Sequence, residues 1–134
     1  RMVAIDIRTG ERVWTRSLSG VQTPWVAGDF IFLVTTSAEV IALSRRDGRI
    51  RWVTQLPRFT DPEDRDGPIS WAGPVLAGDR LLLASSTGEA FAVSPYNGDV
   101  LGEVEIPRGT FISPIVANQT VYILTDAAQL LAFR

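Results

Sequence analysis

The stretch Ala4-Ile5-Asp6-Ile7-Arg8-Thr9-Gly10-Glu11-Arg12-Val13-Trp14 decides the fold, because its landmarks return along the chain. Ala42-Leu43-Ser44 leads to Asp47-Gly48 and then Arg51-Trp52. Ala92-Val93-Ser94 leads to Asn97-Gly98 and then Leu101-Gly102, and Ala132-Phe133 begins a fourth copy. The alanines are spaced by 38, 50 and 40 residues. A second landmark keeps the same order: Pro24-Trp25-Val26-Ala27-Gly28-Asp29, Pro74-Val75-Leu76-Ala77-Gly78-Asp79 and Pro114-Ile115-Val116-Ala117-Asn118-Gln119. The extra residues of the longest spacing fall between Trp52 and Pro74, which marks one inserted loop near Arg58 to Pro68.

Within each repeat lie four short runs of strand character. In the second repeat they are Pro24 to Ala27, Phe30 to Thr35, Glu39 to Ser44 and Arg49 to Gln55. Phe30 to Val34, Leu81 to Ala84 and Val121 to Leu124 are continuous apolar runs, as expected of strands buried on both faces. Arg49-Ile50-Arg51-Trp52-Val53 alternates, as expected of an outer, half-exposed strand. Gly28-Asp29, Gly78-Asp79 and Asn118-Gln119 mark tight turns, and Asp47-Gly48 and Asn97-Gly98 mark hairpins. No 3.6-residue period is sustained anywhere, so essentially no helix is predicted.

Four-stranded antiparallel units returning at about 40 residues describe propeller blades. A β-sandwich is the rival, but it gives no reason for the same residues to return at the same phase. The expected fold is therefore all-β: a β-propeller fragment of about three four-stranded blades, entering and leaving in the third strand of a blade. The predicted units are 1–18 (end of one blade), 19–57 (a blade), 58–68 (the inserted loop), 69–107 (a blade) and 108–134 (an incomplete blade). The opening Arg1-Met2-Val3-Ala4 already sits inside a strand pattern, which reads as an internal or C-terminal piece of a longer protein.

Composition narrows the function. The 134 residues are 46% hydrophobic and 21% charged, enough for a packed core. All 13 basic residues are arginine, scattered along a chain of net charge −2, so no footprint for nucleic acid exists. Histidine and cysteine are absent, which removes imidazole bases, thiol nucleophiles and Cys/His metal sites. No apolar run approaches the roughly 20 residues of a transmembrane helix.

The segment from Ala4 to Trp14 resembles the tryptophan-docking motif of quinoprotein-like propellers, Ala-x-Asp-x-x-x-Gly-x-x-x-Trp, here complete at Ala4, Asp6, Gly10 and Trp14. The second copy keeps Ala42, Gly48 and Trp52 but has Ser44 for Asp. The third keeps Ala92 and Gly98 but has Ser94 and Gly102, so its docking contact is expected to be lost. The resemblance implies that each indole lies against a peptide plane of the adjoining blade. A blade buries little alone and must stack on its neighbour, and an indole brings a large flat apolar surface with one N–H donor. Within this superfamily the whole chain is similar to the periplasmic lipoproteins that serve the outer-membrane β-barrel assembly machinery. It corresponds there to the last blades of an eight-bladed ring. The stretches carrying this are Gln22 to Asp29, Arg51 to Pro57 and Trp71 to Gly78. The likeness implies a periplasmic, outer-membrane-associated scaffold with protein partners among the assembly components.

Two other functions compete. Relatives of the same repeat include dehydrogenases that use pyrroloquinoline quinone and Ca²⁺, but the innermost strands here (Pro24 to Val26, Gly73 to Leu76, Ser113 to Val116) are apolar and small, and offer no convergent polar groups. Asp6, Glu103 and Glu105 are better explained by hairpins and solvated faces. No cofactor is therefore expected. A ligand- or sugar-binding propeller of unknown role is the other competitor. The inserted loop carries Asp61, Glu63, Asp64 and Asp66, but Arg65 stands where a calcium ligand should be and Gly67 comes one position late for an EF-hand. Insertions on repeat folds cluster on functional faces, which makes Arg58, Phe59, Arg65 and Trp71 the candidate partner-binding residues. For Trp25 and Trp71 the alternative is packing between blades. Three open blades would also expose their end sheets, so the fragment is expected to self-associate through them.

Overall fold

The structure, a computed structural model, describes residues 1–20, 22–107, 109–110 and 113–133; positions 108 and 134, which bound the last predicted unit, lie outside the described residues. No described residue is helical. The chain begins with a two-stranded sheet, β1 (Met2–Ile5) and β2 (Arg12–Arg16). The first four-stranded sheet follows: β3 (Trp25–Ala27), β4 (Phe30–Val34), β5 (Glu39–Ser44) and β6 (Ile50–Gln55), paired antiparallel in chain order. A short hairpin, β7 (Phe59–Asp61) with β8 (Asp66–Pro68), precedes the second four-stranded sheet. That sheet is β9 (Trp71–Ala77), β10 (Arg80–Ser85), β11 (Glu89–Val93) and β12 (Val100–Glu105). A three-stranded sheet ends the chain, with β13 (Ile115–Ala117), β14 (Thr120–Leu124) and β15 (Leu130–Phe133). These are the meandering sheets of a propeller, and three of them repeat one register. Ala4 pairs with Trp14, Ala42 with Trp52 and Ala92 with Gly102.

The turns explain why the repeat breaks into these strands. Gly28, Gly78, Asn118 and Gln119 all have positive φ in the β3–β4, β9–β10 and β13–β14 turns. Each β5–β6-type connection closes with a glycine in the left-handed region, at Gly10, Gly48 and Gly98 (φ 75°, 72° and 83°). At the first and third copies the entry is held by a side-chain acceptor: Asp6 Oδ1 takes the Arg8 N–H at 2.8 Å, and Ser94 Oγ takes that of Tyr96 at 3.2 Å. Serine thus does at the third copy the work of aspartate at the first.

The sheets stack face to face, and the core lies between them. Ile31, Leu33, Ile41 and Leu43 face the first sheet and bury Trp14 with Met2 and Ala4. Phe32, Val34, Val40 and Ala42 face the other way, against Leu81, Leu83, Phe91 and Val93. The continuous apolar run of β4 is thus buried on both faces, as expected. The equivalent run of β14 is not, since Leu124 is 44% exposed.

The inserted segment departs from the expected loop: it is a hairpin. Phe59 pairs with Pro68 and Asp61 with Asp66. Arg65 adopts φ 52° and Gly67 φ 67° near its tip, and Asp61 Oδ1 accepts the Asp64 N–H at 3.3 Å.

Candidate partner-binding surface

Two indole contacts bridge neighbouring sheets. Trp14 Nε1 donates to the Arg45 carbonyl at 2.9 Å, and the ring lies on Gly48, where an added Cβ would stand 2.6 Å from ring carbons. Trp52 Nε1 donates to the Pro95 carbonyl at 3.0 Å, and its ring lies on Gly98 in the same way. A flanking donor reinforces each contact. Arg16 Nε reaches Gly48 O at 2.6 Å, while Thr54 Oγ1 reaches Gly98 O at 2.5 Å. Gly10 has the same φ but nothing within 4 Å of a would-be Cβ. Nothing stands within 4 Å at Gly102 either.

The four candidate residues, three on the insertion and Trp71 beyond it, do not form one surface. The Arg58 guanidinium lies 5.3 Å from the centre of the Phe59 ring, a cation–π arrangement at the hairpin's base. Phe59 is half-buried, whereas Arg58 and Arg65 are exposed. Trp71 stands apart. It is 5% exposed, packs on Phe91 with ring centres 5.1 Å apart, and donates from Nε1 to the Pro57 carbonyl at 2.9 Å. Its indole therefore belongs to the core between sheets and ties down the start of the hairpin; it offers a partner no surface. The Ile69 N–H fixes the other side by donating to the Arg58 carbonyl at 2.8 Å. The acidic tip gathers no ligand set, for no group of three or more His, Cys, Asp or Glu among the described residues could hold a metal.

An exposed aromatic groove escaped the sequence reading. Phe30, Phe32, Trp52 and Tyr96, with Arg51 and Asp79, line a depression of about 330 Å³ between the two four-stranded sheets. Tyr96 is 81% exposed and Phe30 38%. The signal available was Tyr96 itself, an aromatic two residues before the hairpin glycine, where Arg46 stands in the preceding repeat. Asp47, in that preceding turn, is held below the ordinary carboxylate range chiefly by the hydrogen bond from the Arg49 backbone N–H.

Comparison with known proteins adds to this geometry. Residues 1–54 match a family model described as outer membrane protein assembly factor BamB. The outer membrane protein assembly factor BamB of Marinobacter adhaerens is 36% identical over 52 residues, a match covering 39% of this chain and 13% of that protein. The crystal structure of BamB from Moraxella catarrhalis superposes with a TM-score of 0.75 at 18% identity, covering 98% of this chain and 42% of that one. The chain thus spans about two fifths of the solved relative's length. Residues 1–54, which hold the first two copies of the docking motif, are similar in sequence to that family model, the fold along nearly the whole length is that of the solved propeller, and the chain is a fragment of a β-propeller.

Proposed function

We propose that this chain is part of a non-catalytic periplasmic scaffold, associated with the outer membrane, that binds proteins during outer-membrane β-barrel assembly. The match of residues 1–54 to the assembly-factor family carries this reading. The physical means are rigidity and exposed features. Trp14 and Trp52, seated on Gly48 and Gly98, hold sheet to sheet, while Ala4, Asp6, Gly10, Ala42 and Ala92 shape the strand pairs and hairpins of the docking motif. The hairpin bearing Arg58, Phe59 and Arg65 then stands on a fixed base as a contact for partner proteins. Trp71 serves by fixing that base. The test is capture of outer-membrane assembly components by the intact protein and by a Phe59→Ala, Arg58→Ala variant. Retention by the former and loss by the latter is expected. Failure of the intact protein to retain any assembly component would overturn the reading.

The same reasoning covers the isolated 134-residue chain. Val3, Ile5 and Val13 are 40%, 62% and 55% exposed on the first sheet. An apolar sheet face of this kind associates in water. Sedimentation of the isolated chain is expected to show concentration-dependent association, and an unchanging monomer would contradict it.

A further inference from the structure

The second four-stranded sheet copies the first with an offset of fifty residues, so their outward faces can be compared position by position. Toward its neighbour the first sheet presents Phe32, Val34, Val40, Ala42 and Trp52. At the same positions the second presents Leu82, Ala84, Ala90, Ala92 and Gly102. Four of these five are smaller and none is larger. Among the described residues the face opposite is not built out to compensate: Val121, Ile123 and Leu131 stand where Leu81, Leu83 and Phe91 stand one repeat earlier, and of these four positions only Phe133, for Val93, is larger. The result is an apolar cleft of about 300 Å³ between β10–β12 and β13–β15. Ala42 is fully buried beneath Trp52, whereas Ala92 beside Gly102 remains partly exposed. The flanking donor is gone too, because Val104 replaces Thr54.

We propose that this cleft docks one large aromatic side chain, tryptophan by preference, presented by a polypeptide partner. The sister interfaces identify the occupant, since an indole fills the same register position at Trp14 and at Trp52. The space suffices: an apolar cavity of about 150 Å³ stays dry and takes up benzene. An aromatic placed against a glycine on an edge strand supplies packing that the glycine lacks. Gly102 is exposed, and so is the whole of β12, with Val100, Leu101 and Val104 at 50%, 47% and 52% giving an approaching chain apolar footing. The inference rests on the scaffold reading only in that the occupant belongs to a protein. Capture of assembly components and occupancy of this cleft succeed or fail separately.

The test is binding of an extended peptide with a central 5-fluorotryptophan to the full chain, followed by fluorine NMR, against the same peptide with alanine. The aromatic peptide is expected to bind at least about tenfold tighter, the size of a modest aromatic hot spot. Gly102→Trp fills the cleft from within, so it should abolish that preference and raise the melting temperature. Equal binding of the two peptides, or an undiminished preference in a folded Gly102→Trp protein, would overturn the proposal. Amide shifts in the unmodified protein give a readout free of any variant. Perturbations centred on Ala90, Ala92, Gly102 and Val121 are expected, and perturbations centred on the Tyr96 groove would refute the site.

Discussion

Adding one methyl group at Gly48 separates two costs that usually arrive together. Gly10 and Gly48 occupy the same turn position with φ of 75° and 72°, so alanine at either meets the same left-handed backbone penalty, about 1–2 kcal/mol. They differ in surroundings. A Cβ at Gly10 meets nothing within 4 Å, but at Gly48 it stands 2.6 Å from Cδ2 and Cε3 of Trp14. The indole cannot withdraw without stretching its 2.9 Å hydrogen bond to Arg45 and leaving its place among Ile31, Leu33 and Leu43. Overpacking of this kind costs a further ~1–3 kcal/mol. Gly10→Ala should therefore lower stability by about 1–2 kcal/mol, and Gly48→Ala by about 2–5 kcal/mol. The assay is urea unfolding followed by tryptophan fluorescence, with unchanged slopes certifying that stability alone has moved. Equal losses for the two variants would refute the claim that the ring rests on Gly48.

Trp52→Phe keeps a ring but removes the donor to Pro95, and should cost about 0.5–1.5 kcal/mol beyond the lost ring area. Trp52→Ala should cost about 3 kcal/mol or more by thermal or urea unfolding. Trp71→Phe frees the Pro57 carbonyl at the hairpin's base, so amide exchange at Asp66, Gly67 and Ile69 should quicken by up to about tenfold while the sheets exchange as before. Asp47 is held below its ordinary value of 3.8 in the fold, so its contribution is complete above the unfolded pKa and is lost as pH falls through the lower folded value. Asp47→Asn, the residue that Asn97 already supplies in the next repeat, should preserve the turn. The stability advantage of the parent over this variant should shrink between about pH 5 and pH 2.

The sheets were legible because their grammar is local. Glycine at positive φ, the side-chain acceptor before it and the apolar run of Phe30 to Val34 each act within a few residues, and their recurrence gives the period. The hairpin at Phe59–Pro68 was illegible for the converse reason. Its strands are three residues long, include a proline and a glycine, and show no alternation, so only the pairing of Phe59 with Pro68 and Asp61 with Asp66 reveals it. Trp71 could not be placed from sequence because a tryptophan beginning an inner strand suits a rim and a core equally. Phe91, twenty residues later, decides the matter by packing against it. The shrunken face of the second sheet lies in plain view as Ala84, Ala90 and Gly102. It acquires meaning only once the register says which side of each strand faces the next sheet.

Ring-current shifts of the glycine α-protons test the stacking of sheet on sheet most directly. A proton held against an indole face moves strongly upfield, and NOEs then name the ring. Such shifts are expected at Gly48, with NOEs to Trp14, and at Gly98, with NOEs to Trp52, beside ordinary shifts at Gly10 and Gly28. Ordinary shifts at Gly48 and Gly98 would contradict that stacking.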